Sequence, residues 1–180
     1  RAEDILNLLA VLREIPMEAT LEGVAEGWKV ADALALAKFP VILAPEPVAT
    51  IIERGPSVPL PRAPFPMPFD PDQMQSRGPI GDAPMETSVA NAAVLARAGV
   101  KLAIASLGDP TDATPQIVAR AAYAAGHGLD PQAALAAITR NAAEIAGLGD
   151  QLGQLAAGRV ASFVILSGEP LAPDTVAQEV

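Results

Sequence analysis

The 180-residue sequence lacks cysteine, has a single histidine and is poor in basic and aromatic residues. Without cysteine, the chain forms neither disulfides nor thiolate metal sites, although reducing and oxidising compartments both remain open. With His127 as the only histidine, these residues alone cannot supply a His-x-His pair or a multi-histidine metal cage. The sequence also offers no basis for a Ser-His-Asp triad or for a glycine-rich phosphate loop with its lysine.

The charge balance is acidic, with 12 basic and 21 acidic residues and a formal net charge of -9. No basic cluster interrupts this pattern, which argues against binding to nucleic acid or to anionic membranes. No apolar run approaches the roughly 18 residues of a membrane span. The start of the sequence also lacks the positively charged region followed by an apolar region that is typical of a signal peptide. We therefore expect a soluble protein of unknown compartment.

Apolar residues make up 51% of the chain and charged residues 18%, which is typical of a folded protein with a real core. The length suits one ordinary domain but falls short of the roughly 250 residues of a complete eight-unit α/β barrel. The sequence opens at Arg1, inside a predicted helix. We expect it to be a processed product or, preferably, a piece of a longer protein.

Apolar periodicity predicts alternating helices and strands. Over residues 2–14, Ile5, Leu8, Leu9 and Leu12 recur at helical spacing and predict an amphipathic helix. Strand, helix and strand then follow one another, which indicates a parallel crossover unit of an α/β fold. The further elements expected are strands at 17–22, 40–44, 100–106 and 160–166, and helices at 25–37, 88–98, 115–125, 131–139 and 141–146.

A proline-rich stretch over 45–86 interrupts this pattern. Proline neither continues a helix nor donates to a sheet, so the stretch is predicted to be a long loop. Loops of this length are usually functional, interacting or mobile. Packing on its own domain is the preferred interpretation, and a polyproline II ligand for a partner is the alternative.

Several segments carry a resemblance to a known family. They are GLDPQAALAAITRNAAEIAGLG at 128–149, LGQLAAGR at 152–159, VILSG at 164–168, EGWKVAD at 26–32, PVIL at 40–43 and LARAGVK at 95–101. Together they resemble the carboxyl-terminal signature of imidazolonepropionase-like, metal-dependent amidohydrolases. Apart from the proline-rich stretch, the likeness covers nearly the whole chain.

The resemblance implies a partial TIM-type (β/α) barrel. The strands predicted before residue 107 would correspond to the sixth, seventh and eighth barrel strands, and the first five would be absent. Residues 1–147 would form this partial barrel, with the proline-rich loop at 45–86. Residues 148–180 would supply carboxyl-terminal strands of a small β-sandwich beside it.

The resemblance also implies a metal site that this sequence does not reproduce. Family members hold one or two divalent metals at the carboxyl ends of barrel strands, with ligands that include a histidine on strand six and an aspartate on strand eight. Here the histidine position falls on Glu22, and the aspartate position on Leu107. Asp109 is then the nearest carboxylate. Leucine can neither ligate a metal nor move a proton.

Three residues remain candidates for catalysis or metal binding: Glu22 and Asp109 for both, and His127 for metal. Glu22 is either a surviving oxygen ligand or base, or a carboxylate facing solvent or a remodelled pocket. Asp109 could pair with Asp112, but aspartate in such turns usually bonds local backbone amides. His127 follows a predicted helix, where histidine often caps the helix end. The structural interpretation is preferred for all three.

We therefore expect an amidohydrolase-like pseudoenzyme that acts as a structural or interaction subunit, with no cofactor in this chain. The remainder of the barrel, as another segment or chain, would be its partner in an oligomer or complex. The alternative is part of a hydrolase of carbon–nitrogen bonds in cyclic amides, which would use zinc, iron or manganese. A small-molecule binding module that reuses the barrel mouth is a third possibility.

Overall fold

A computed structural model describes residues 1–15, 17–45, 86–106 and 113–179. The chain divides into two units, and all of the described helices and strands belong to the one that contains both termini. Nearly all of the proline-rich stretch, 46–85, lies outside the described residues. The elements are α1 (Ala2–Glu14), β1 (Leu21–Glu22), a 3-10 turn (Gly27–Val30), α2 (Ala31–Ala37), β2 (Val41–Leu43), α3 (Asn91–Arg97), β3 (Leu102–Ile104), α4 (Ala113–Gly126), α5 (Pro131–Ile138), α6 (Arg140–Ile145), β4 (Ile165–Leu166) and β5 (Ala177–Glu179).

The first three strands form a parallel sheet in the order β1-β2-β3. Leu21 pairs with Val41, and Ile42 pairs with Ala103. The predicted α/β pattern is thus confirmed, but the strand expected at 17–22 is only two residues long. Its ladder begins where the amide of Leu21 donates to the carbonyl of Pro40, so residues 17–20 have no β2 residue opposite them.

The two faces of this sheet differ in what they contact. Because side chains alternate along a strand, residues of equivalent register share a face. One face is buried in the hydrophobic core with residues of α1 to α5. The opposite face carries Glu22, which is exposed, Ile42, which is half-buried, and Ala103, which is buried but lies outside that core cluster. The core-facing strand residues are Leu21, Val41, Leu43, Leu102 and Ile104.

Helix α1 packs on this core through Ile5, Leu9 and Leu12. The expectation that Leu8 shares their face is wrong, because its side chain remains 45% exposed. Successive residues turn by about 100° around a helix, which places Leu8 at the margin of the buried stripe. Within the described part of the chain, every helix is too short or too polar to cross a membrane.

Helices α5 and α6 pack beside strand β3. Asp130 caps α5 by accepting a 3.0 Å hydrogen bond from the amide of Ala133, and Pro131 occupies the first turn, as predicted. In α6, the side-chain amide of Asn141 donates to the carbonyl of Leu102 over 3.0 Å. This contact ties α6 to strand β3.

The carboxyl-terminal residues form a turn and a short antiparallel pair. Arg159 donates from Nη1 to the carbonyls of Gly149 and Leu152 and so closes the turn on itself. Strand β4 covers only the end of the predicted strand at 160–166, and β5 was not predicted. The two strands pair antiparallel.

Candidate functional site

Glu22 is the last residue of β1 and lies at the carboxyl end of the parallel sheet. Its side chain is exposed on the face opposite the core. Gly23 follows with a φ of +72°, a conformation that glycine adopts readily and that turns the chain out of the strand. In (β/α) barrels, active sites are built at the carboxyl ends of the strands. Glu22 therefore occupies a position at which barrel enzymes place functional groups.

His127 follows directly after α4 and makes local contacts. Its Nδ1 lies 2.8 Å from the carbonyl oxygen of Tyr123, to which it donates when protonated. The two rings also contact each other, with centroids 4.1 Å apart and planes inclined by 40°. These contacts hold the imidazole against its own helix.

Glu22 and His127 lie at opposite ends of the sheet. Arg97, the last residue of α3, donates to the carbonyl of Gly128 over 3.2 Å. Because α3 ends shortly before β3 begins, this contact places the end of α4 beside the amino end of β3. A parallel sheet has all its carboxyl ends at one edge, so His127 is not brought to the edge where Glu22 lies.

The candidate residues do not assemble into a metal cluster. Among the described ranges, no group of three or more histidine, aspartate or glutamate side chains could hold a metal ion. Asp109, Asp112 and Leu107 lie outside the described residues. The position of the strand-eight acid therefore stays a prediction.

One cavity of about 210 Å³ lies between α3 and the connection from α4 to α5. Its lining includes Arg97, Gly128, Leu129 and Asp130. The contact of Arg97 with Gly128 places this cavity at the amino-terminal edge of the sheet. It is therefore remote from the strand ends at which barrel chemistry takes place.

Among the residues that the structure describes, the strongest electrostatic perturbation falls on Glu26, which the sequence did not single out. Glu26 is only 6% exposed. One carboxylate oxygen accepts from the amide of Glu86 at 2.7 Å, and the other from the amide of Ala2 at 2.9 Å. These hydrogen bonds, the one from Ala2 first, together with the nearby Lys29 ammonium, lower the pKa of Glu26 from 4.5 to about 2.

Lys29 completes this group. Its ammonium lies 3.0 Å from the carboxylate of Glu86, 3.5 Å from that of Glu26 and 5.4 Å from the ring centre of Trp28. The bond to Glu86 contributes most to raising the pKa of Lys29. A general base works best with a pKa near the operating pH, so a carboxylate held this far below neutrality is suited to a structural role. The only sequence signal for the group is the Glu26–Lys29 spacing of three residues.

Comparisons with known proteins agree with this fold. The model of the Amidohydrolase family matches residues 11–179. Among solved structures, the chain is similar to an amidohydrolase from Thermotoga maritima MSB8, with a TM-score of 0.69 and 24% sequence identity. The match covers 98% of this chain but 38% of that chain, so the sequence spans well under half of that protein. A search of curated proteins finds no significant match. Because the family model matches most of its length, the chain belongs to the amidohydrolase family.

Proposed function

We propose that these residues form the carboxyl-terminal part of an amidohydrolase barrel and act as a structural component that contributes no catalytic group. The remainder of the barrel would come from another segment or another chain. The observation that carries the proposal is the three-stranded parallel sheet with its hydrophobic core on one face. A barrel wall has this arrangement, because helices cover its outside and strands enclose its inside.

The opposite face and the sheet edges support this assignment. Glu22, Ile42 and Ala103 would line the barrel interior, since they alternate with the core-facing residues. Among the described strands, β1 and β3 each pair with β2 alone. Unpaired strand edges favour association with further strands, and a closed barrel removes such edges altogether.

Among the residues that the structure describes, the donor set does not fit the divalent metals that amidohydrolases usually bind. The strand-end position expected to hold histidine carries Glu22, and the sole imidazole, that of His127, is held against Tyr123 at the other edge of the sheet. A carboxylate can bind a divalent ion, but one such group in isolation does not complete a catalytic site with three protein ligands. We therefore assign no metal-dependent step to these residues.

The carboxyl-terminal residues, 148–180, are proposed to supply strands to a small β-sandwich. The pair formed by β4 and β5 is a two-stranded sheet, which is marginally stable by itself. Phe163, Ile165 and Val176 are 50%, 42% and 62% exposed. Further strands packed on these side chains would bury them and stabilise the pair.

The position of Glu22 favours a second candidate function. An exposed carboxylate at the carboxyl end of a barrel strand is placed to bind a metal or to move a proton. In this alternative, the chain is part of a hydrolase of carbon–nitrogen bonds in cyclic amides. Another segment then supplies the remaining ligands for zinc, iron or manganese.

Substitution of Glu22 in the intact assembly separates the two candidates. The variant is Glu22→Gln, and Glu18→Gln is the matched control, since Glu18 is exposed and precedes the strand. Metal content and hydrolysis of a cyclic amide such as hydantoin are measured in all three proteins. The structural proposal expects equal values in the variant, the control and the natural protein. A loss of tenfold or more confined to Glu22→Gln would instead establish the hydrolase role.

A further inference from the structure

We infer that the Glu26 carboxylate couples the position of α1 to the position of the residues that precede α3. We call this carboxylate, with its two backbone hydrogen bonds, the latch. The carboxylate accepts hydrogen bonds from Ala2 and from Glu86, which lie 24 and 60 residues away along the chain. One side chain thus joins the beginnings of two segments that no strand pairing connects.

The first attachment caps α1 from outside the helix. The first amides of a helix have no partner within it, and Arg1, at the usual capping position, makes no side-chain cap hydrogen bond. Glu26 takes over this role through its bond with Ala2. A negative charge at the amino end of a helix is also favoured by the helix dipole.

The second attachment fixes the approach to α3. Glu26 binds the backbone of Glu86, while Lys29 binds the side chain of the same residue at 3.0 Å. The capping position of α3, Ala90, likewise has no side-chain cap hydrogen bond. Ser88 orders the residues next to α3, because its Oγ accepts from the amide of Ala90 at 3.3 Å. Glu86, by contrast, is held by Glu26 and Lys29 together.

Glu26 immediately precedes the 3-10 turn, and this part of the chain packs closely against α3. The side-chain amide of Asn91 donates to the carbonyl of Val24 over 2.8 Å. A Cβ atom at Gly27 would lie 2.7 Å from Val24 and 3.1 Å from Leu95, so the backbone of the turn packs closely on its surroundings. The carboxylate thus has little freedom to keep one amide after losing the other, which makes the two attachments interdependent.

Hydrogen exchange measured by mass spectrometry on the 180-residue chain tests the latch, with Glu26→Gln as the variant. A glutamine amide has a single carbonyl oxygen, and its NH₂ group cannot accept a hydrogen bond, so it cannot reproduce both bonds. Exchange within 2–9 and within 86–95 is expected to rise together by roughly tenfold or more, in line with the loss of a hydrogen bond to a charged group. Exchange in α5 stays unchanged, and Glu18→Gln, which removes an exposed carboxylate, changes neither segment.

Three outcomes overturn the inference: loosening of only one of the two segments, loosening of neither, or equal loosening of α5. The first indicates independent contacts, the second a carboxylate that holds neither segment, and the third general destabilisation. Should Glu26→Gln not fold, Glu26→Asp keeps the charge on a side chain one methylene shorter. The same two segments are then expected to loosen together, and unchanged exchange in both contradicts the latch.

Discussion

Gly153 offers a sharp test of how the carboxyl-terminal turn packs on α6. A Cβ atom at Gly153 would lie 2.8 Å from Cβ of Ala143, 2.9 Å from Cα of Arg140 and 2.9 Å from the carbonyl oxygen of Thr139. Two of these atoms belong to the backbone and cannot rotate away. Gly153 also has a φ of +85°, which disfavours any residue with a side chain.

Gly153→Ala therefore carries two penalties, and Gly158→Ala is the matched control that carries only one. Gly158 has a φ of +83°, but nothing lies within 4 Å of its added Cβ. The left-handed conformation costs alanine about 1–2 kcal/mol, partly offset by the less flexible unfolded chain. Overpacking adds about 1–3 kcal/mol at Gly153 alone. We expect losses of about 2–4 kcal/mol for Gly153→Ala and about 1 kcal/mol for Gly158→Ala.

Equilibrium urea unfolding followed by circular dichroism measures both variants. The difference between the two losses isolates the close contact from the backbone conformation, because the φ values are nearly the same. Equal losses would refute the argument, since the turn would then not be packed on α6 as described.

Three further predictions concern the core, acid stability and a helix end. Leu34 is 0% exposed, so Leu34→Ala is expected to lower the free energy of unfolding, measured in urea, by about 2–5 kcal/mol. Leu36 lies on the same helix but is 74% exposed, so Leu36→Ala should change this free energy by no more than about 0.5 kcal/mol. The folded state lowers the pKa of Glu26 from its ordinary value of 4.5 to about 2. The stabilisation by this carboxylate is therefore complete above pH 4.5 and is lost as the pH falls towards 2. Across this pH window, the urea midpoint should fall more steeply for the natural chain than for Glu26→Gln. Lys38 follows the last residue of α2 and has a φ of 62°, a conformation that glycine adopts more readily than lysine. Lys38→Gly should therefore increase the free energy of unfolding by up to about 1 kcal/mol and raise the melting temperature.

Each of these predictions has a clear contrary outcome. Equal losses for the two leucine variants of α2 would contradict the assignment of its buried face. Parallel pH profiles for the natural chain and the Glu26 variant would mean that this carboxylate does not report on folding. A lower melting temperature for Lys38→Gly would mean that the lysine side chain stabilises the helix end by more than the backbone conformation costs.

Local sequence patterns were sufficient to predict much of the fold. The apolar runs at 40–44 and 100–106 correspond to two adjacent parallel strands, because continuous apolar runs are typical of strands in buried parallel sheets. The start of α5 was also predictable, since Asp130 and Pro131 are adjacent and their capping roles depend only on neighbours. Strand lengths were overestimated, because pairing requires a partner residue that the local pattern does not reveal.

Features that depend on distant contacts could not be predicted. Glu26 looks like an ordinary surface acid in the sequence, yet its hydrogen-bond partners are Ala2 and Glu86. Leu8 fits the helical spacing of its neighbours, but the position of the core decides which side of α1 is buried. For the candidate site, the sequence indicated that Glu22 ends a strand; that His127 lies at the other edge of the sheet follows only from the contact of Arg97 with Gly128.

The metal content of the 180-residue chain tests the proposed absence of its own catalytic metal site most directly. The chain is equilibrated with excess zinc, desalted and analysed by inductively coupled plasma mass spectrometry, together with Glu22→Gln and His127→Asn. The account predicts far less than one zinc ion per chain in all three proteins. Close to one zinc ion per natural chain, with a clear loss in either variant, would contradict it.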